Sequence, residues 1–337
     1  MEGNLMTQAD RTLSNSFAES KLSFPPYGLI NTENARYLAT RPVPEGFRRD
    51  PTSPRPSDAE EWEEWLIELA QEMSDFLWPI YQDNEWVGRA VAHAMDLTQI
   101  DLMVMQALQP TMEERIRGAI SPTDRHRIAW AHEDEGPPRF TLALYQAVWP
   151  AELEADLNRA ILTGGVDIAR PASQGLKKLF QRPRPQLTAL TLGLKDGLEV
   201  QPSKSAITPS MISGHCIQGT MALAQVHYWL ADAAKQRPGL LQLLNRFLID
   251  TGDRRVFAGL HYPSDNIGSW FVSLRLCAHV YGDGAARVRS GLWSAIQECS
   301  TVFKAMKEQG GLYTDLLAKL EATVSSSSSA DQGAAAS

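Results

Sequence analysis

The chain has 337 residues, of which 43% are hydrophobic, 21% charged and 8% aromatic, an ordinary globular composition that excludes a mostly disordered, collagen-like or disulfide-stapled protein. Lys and Arg total 32 against 40 Asp and Glu, a formal net charge of −8. Overall attraction to nucleic acid or anionic lipid is therefore not expected, which leaves room for a local basic pocket. The three cysteines, Cys216, Cys277 and Cys299, are too few and too scattered for a disulfide framework or a paired-cysteine metal site.

The first residues, MEGNLMTQADRTLSNSF, carry no basic region followed by an apolar one, and no window of 18 residues is free of charged or strongly polar groups. Neither a secretory signal nor a membrane span is expected, and the chain reads as cytoplasmic. Residues 1–56 show little periodicity and hold seven prolines between Pro25 and Pro56, the pattern of an irregular arm. Ser57 and Glu60 then have the spacing of a capping box. Behind them Trp62, Trp65, Leu66, Leu69, Met73, Phe76 and Leu77 recur at three- and four-residue steps, one apolar face of a helix that Pro79 ends. At that spacing the tryptophans read as core packing rather than as a ligand-stacking box.

Further helices are predicted from Trp86 to Leu108, from Thr111 with Glu114 in box position, and from Ser121 with Pro122 in its first turn. The C-terminal half continues with helices near 150–162, 166–180, 214–235, 239–253, 265–281, 285–307 and 311–324. No alternating strand pattern or solenoid repeat appears. Residues 325–337, SSSSSADQGAAAS, are too polar to pack and read as a disordered tail. The expected fold is an all-α helical bundle, with 57–150 as an N-terminal helical part and 151–324 as the core that carries the chemistry. Oligomeric state stays open, a homo-oligomer included, because apolar helix faces bury equally well within and between subunits.

Three stretches carry chemistry. From Ile168 to Lys195 there is no acidic residue, but there are Arg170, Lys177, Lys178, Arg182, Arg184 and Lys195. In an acidic chain this points to a local anion, although a solvated basic helix face would look the same. Ser205 to Ala231 contains no Asp, Glu, Lys or Arg. It reads as a loop feeding Ser213-Gly214-His215 into a buried helix, whose N-terminal N–H groups and dipole favour an anion that Gly214 lets close to the backbone. An ordinary serine cap beside a core histidine is the plainer alternative. In the third stretch Pro263 and Ser264 start a helix with Asp265 in its first turn, four residues after His261. Asp265 can hold one imidazole nitrogen and leave the other toward a reacting atom. A helix cap beside a surface His–Asp pair would use the same residues.

Taken in order, Lys177 is followed after six residues by Arg184-Pro185, then come Ser213-Gly214-His215, then Arg255, five residues, His261, three residues and Asp265. This set resembles the three-part signature of the type 2 phosphatidic acid phosphatase and vanadium haloperoxidase superfamily, from Lys177 to Asp265. Residues 1–150 match nothing specific. The resemblance implies that Lys177, Arg184 and Arg255 hold the equatorial oxygens of a phosphate or vanadate, with Ser213 and the Gly214 N–H completing the cradle. It implies that His261 attacks phosphorus to give a phosphohistidine, or ligates vanadium in a haloperoxidase. His215 would protonate the leaving alcohol, or act as acid–base toward peroxide, and Asp265 would orient His261. Two departures stand out: Ile212 where the family usually has proline, and Arg254 where it usually has serine. Cys216 reads as a small core residue rather than a nucleophile.

The expected function is a soluble phosphatase acting on a small phosphate ester with neither metal nor cofactor, since three fixed cations supply the charge stabilisation that a divalent ion would. A vanadium-dependent haloperoxidase with vanadate as cofactor is the alternative, and a silent phosphate-binding protein the third reading. The compact motif spacing and the stretch Gly259 to Asp265 place the phosphatase first.

Overall fold

Leu66, Leu69, Met73 and Leu77 form one buried stripe on helix α1 (Ala59–Leu77). The computed structural model describes residues 59–77, 97–109, 154–180, 182–192, 198, 200, 208–230, 232 and 238–325. The expected arm over 1–56, residues 326–337 of the expected tail, the side chains of Ser57 and Glu60, and the helices expected from Thr111 and Ser121 lie outside the described residues. Residues 97–109 are helical (α2). There follow α3 (Glu154–Leu162), a π-helical segment (Thr163–Ile168), α4 (Ala169–Phe180), α5 (Pro185–Thr191), α6 (Gly214–Trp229), α7 (Pro238–Phe257), α8 (Pro263–Tyr281), α9 (Ala285–Cys299), α10 (Thr301–Gln309) and α11 (Leu312–Ser325). The described residues contain no strand; the fold is all-α.

Helix α6 is the axis. Its sequence is apolar on every side, and such a helix must be surrounded; it packs against α3, the π segment, α4, α7, α8 and α9. Helix α8 is buried from Pro263 through Leu274 and packs against α1, α9 and α11. No described helix is long and apolar enough to cross a membrane.

The structure corrects the predicted elements at three places. The break expected between 162 and 166 is absent: α3, the π segment and α4 run on continuously. Gly164 permits this, because a Cβ there would overlap the Met221 carbonyl of α6, so the widened turn lies directly on the central helix. Helix α5 was not expected; Pro185 sits in its first turn behind an extended Arg184, the position where the missing proline N–H costs nothing. The single helix expected over 285–307 breaks at Ser300, which caps α10 by accepting from Phe303 N at 2.9 Å.

Asp253 of α7 reinforces that break. It accepts from Ser300 Oγ at 2.8 Å, Thr301 N at 2.6 Å and Val302 N at 3.2 Å, so a carboxylate from another helix satisfies the first-turn donors of α10. Burial, then the neighbouring Asp250, push the Asp253 carboxyl up to about 7. Its folded-state value lies above the unfolded one, so folding loses stability as pH rises from about 4 to about 7, by an amount on the order of a few kcal/mol. Asp253→Asn is expected to remove this slope: relative to the variant, the wild-type melting temperature falls as pH is raised from 4 to 7.

Candidate active site

Several helix ends converge on one buried point. Lys177 lies in the last turn of α4, Arg184 caps α5, Ser213 caps α6, Arg255 lies in the last turn of α7, and Asp265 lies in the first turn of α8. Gly259, with φ +73°, lets the chain turn back at the end of α7, a backbone region that only glycine enters without cost. Leu260 N and His261 N then both donate to the Arg255 carbonyl, at 3.1 and 3.3 Å. His261 is thereby tied to the helix end that carries Arg255.

The tautomer of His261 follows from its neighbours. Arg184 Nη1 lies 3.0 Å from His261 Nε2, and a guanidinium only donates, so Nε2 carries the lone pair and Nδ1 the proton. Nδ1 donates to Asp265 Oδ2 at 3.1 Å, and Tyr262 N donates to the same oxygen at 3.0 Å. Asp265 thus caps α8 and orients the imidazole at once. Burial, then Arg184, Lys177 and Arg255, hold the His261 pKa well below the usual histidine range. The ring is neutral at pH 7, with its lone pair turned toward the cations.

The positive charge is concentrated. Lys177 Nζ donates to the Pro209 carbonyl and, at 3.3 Å, to that of Ser210. Burial, then Arg184, drive its pKa well down, with Arg255 adding to the effect. Arg184 is held by the Thr208 carbonyl at 2.6 Å, the Leu260 carbonyl at 2.6 Å and Thr208 Oγ1 at 3.1 Å. Lys177, Arg184 and Arg255 are 3%, 2% and 0% exposed. Three buried cations that depress one another's neighbours form a site whose charge a bound oxyanion would offset.

Ser213 Oγ accepts from Cys216 N at 3.4 Å. That bond uses an oxygen lone pair and leaves the hydroxyl proton to donate, so the cap and an anion contact are compatible. A Cβ placed on Gly214 would meet Ser173 Oγ at 3.5 Å and Lys177 Cε at 3.9 Å, which the fold tolerates. Gly214→Ala is therefore expected to keep its melting temperature within a few degrees yet bind orthophosphate roughly tenfold more weakly, by calorimetry, because the methyl enters the space beside Lys177. His215 follows in the first turn of α6 and is 8% exposed, whereas His261 is 1% exposed.

The sequence model of the PAP2 superfamily matches residues 160–289, a segment that takes in all eight of these site positions. Over that segment the chain is similar to the PAP2 superfamily. Neither the curated proteins nor the solved structures compared with the chain gave a match. That similarity points to phosphatase- or haloperoxidase-type activity. Helices α1, α2, α10 and α11 lie outside the matched segment.

Both departures from the PAP2 pattern have a structural account. Ile212 is fully buried, and the loop before it is fixed by Ser210 instead, whose N donates to the Arg182 carbonyl at 2.9 Å and whose Oγ donates to that of Pro183 at 3.1 Å. Arg254 turns to its own helix, 3.8 Å from Asp250 Oδ2 and over the Phe247 ring. Burial pushes the Cys216 thiol far up, in keeping with a core residue. Arg182 has no assigned role in the sequence reading. It sits in the basic run, but its guanidinium faces Asp101 and Asp265 at 3.0 and 2.8 Å. Asp101 had no signal beyond its place in a predicted helix.

Proposed function

We propose that the protein is a phosphatase that hydrolyses a phosphate ester through a phosphohistidine at His261. The phosphoryl oxygens bind Lys177, Arg184 and Arg255, with the Ser213 hydroxyl and the Gly214 N–H as further donors. An arriving oxygen draws the Arg184 N–H away from Nε2 and frees its lone pair. Nε2 then forms a bond to phosphorus while the ester P–O bond breaks. The departing oxygen takes a proton from protonated His215. Nδ1–H stays on Asp265, whose charge offsets the phosphorylated imidazolium. In the second half His215 accepts a proton from water, the water oxygen bonds phosphorus, and the P–N bond breaks to restore neutral His261. Each cation contributes where charge builds on the equatorial oxygens, which is the term that dominates phosphoryl transfer.

The observation that carries this reading is the placement of His261, with Nδ1 3.1 Å from Asp265 Oδ2 and Nε2 3.0 Å from Arg184 Nη1, in a buried setting that Lys177 and Arg255 share. Vanadate fits the same donors, with Lys177, Arg184 and Arg255 offsetting its charge and Nε2 of His261 bonding it. Bound there, it would supply activation of peroxide for halide oxidation. Paired assays on one preparation separate the readings. Hydrolysis of p-nitrophenyl phosphate that orthovanadate inhibits and His261→Ala abolishes is expected. Vanadate-dependent oxidation of bromide by hydrogen peroxide without ester turnover would reverse the assignment, and phosphate binding with neither activity would leave a binding protein.

A further inference from the structure

Behind Asp265 lies a second buried network. Arg182 Nη1 donates to Asp265 Oδ1 and Ser264 Oγ, both at 2.8 Å. Its Nη2 donates to Asp101 Oδ2 at 3.0 Å and Thr98 Oγ1 at 3.2 Å. The guanidinium plane sits 3.8 Å above the Tyr262 ring. Asp101 in turn accepts from Ser264 N at 3.0 Å and Tyr313 Oη at 2.6 Å on Oδ1, and closely from Ser264 Oγ on Oδ2. Asp101 and Asp265 are both fully buried. One guanidinium thus bridges two carboxylates, and the second carboxylate comes from α2, outside the PAP2-matched segment.

We propose that Asp101, acting through Arg182 and Ser264, is a positioning residue for His261, so that the reaction centre is completed by a side chain from outside the family segment. Two links run from Asp101 to the imidazole. Through Arg182 it fixes Asp265 Oδ1, and with Oδ2 already engaged by Tyr262 N the carboxylate cannot rotate away from Nδ1. Through the Ser264 N–H it pins the first turn of α8, and His261 lies three residues before Ser264. Tyr313 of α11 holds Asp101 from the far side. A buried network of this kind is far more sensitive to loss of one member than its net contribution to stability suggests.

This inference rests on the proposed reading of the site, and its test separates the two. Orthophosphate is held by the cations, none of which Asp101 touches, whereas orthovanadate also forms a bond to Nε2 and so reports where His261 points. Calorimetric titration of the full-length chain with each anion is the primary readout, with p-nitrophenyl phosphate kinetics beside it. In Asp101→Asn, vanadate affinity is expected to fall about tenfold with phosphate affinity unchanged within twofold. The value of kcat is expected to fall by roughly 10–100-fold, the scale typical of lost supporting partners, at unchanged KM. Unchanged vanadate affinity and kcat in a folded variant would overturn the proposal, and so would an equal loss of both anions, which signals general collapse of the site. If Asp101→Asn does not fold, Ser264→Ala, which keeps both charges, decides on the same readouts with a smaller expected loss. Wild type that binds both anions but hydrolyses no ester would defeat the phosphatase reading alone, leaving the vanadate-to-phosphate ratio to decide the positioning role. Wild type that binds neither would defeat both.

Discussion

Asp265→Asn is expected to lower kcat on a phosphate ester by about 10⁴-fold, the scale seen when an orienting carboxylate becomes an amide and the histidine tautomer is lost. The Arg182 guanidinium donates to Asp265 Oδ1 at 2.8 Å, a charge-assisted bond stronger than the one from Tyr262 N, so the asparagine keeps its oxygen toward Arg182 and its amide nitrogen takes the Oδ2 position that faces Nδ1. Nδ1 would then have to accept, moving the proton to Nε2, where Arg184 Nη1 already donates from 3.0 Å. Two donors would face each other, and the lone pair that attacks phosphorus would be gone. Steady-state kinetics together with orthophosphate titration checks this: kcat collapses while phosphate affinity, which rests on the cations, stays within a few-fold. A loss of phosphate affinity as large as the loss of kcat would place Asp265 in anion binding instead.

His261→Ala removes the attacking atom itself, and kcat is expected to drop by roughly 10⁴–10⁶-fold, as when a covalent nucleophile is deleted. The side chain is buried and neutral, so the variant opens a cavity beside three cations without stranding a charge. Folding is expected to survive at a cost of about 1–3 kcal/mol, visible as a lower melting temperature. Added imidazole of millimolar strength should enter the cavity and restore measurable turnover. Residual activity above a tenth of wild type would show that another group attacks.

The parts of this site that a reader of the sequence can see are those built from neighbours in the chain. Lys177 and Arg184 flank one helix-to-helix turn, Ser213, Gly214 and His215 are consecutive, and His261 and Asp265 lie four residues apart across the start of α8, so short spacing brings their side chains together. Helices with a one-sided apolar stripe, such as α1, were readable for the same reason. What was not readable depends on distant partners. The break at Ser300 is set by Asp253, 47 residues earlier, and the bridge from Asp101 to Arg182 spans 81 residues. Arg182 shows the limit best. In sequence it is one more cation in a basic run; in the fold it faces two carboxylates, while Lys177 and Arg184 on either side face the cradle. Helix α5 was missed because seven residues opening on Pro185 carry too little periodicity to separate from a loop.

The central claim is a covalent phosphohistidine at His261, and rapid quenching tests it most directly. Wild-type protein mixed with a ³²P-labelled phosphate ester and quenched in alkali within one turnover should carry label on the chain that is stable to base, labile to acid and located on His261 by peptide mapping. The label should be absent from His261→Ala. Steady hydrolysis with no labelled chain, or with label on any other residue, would contradict it.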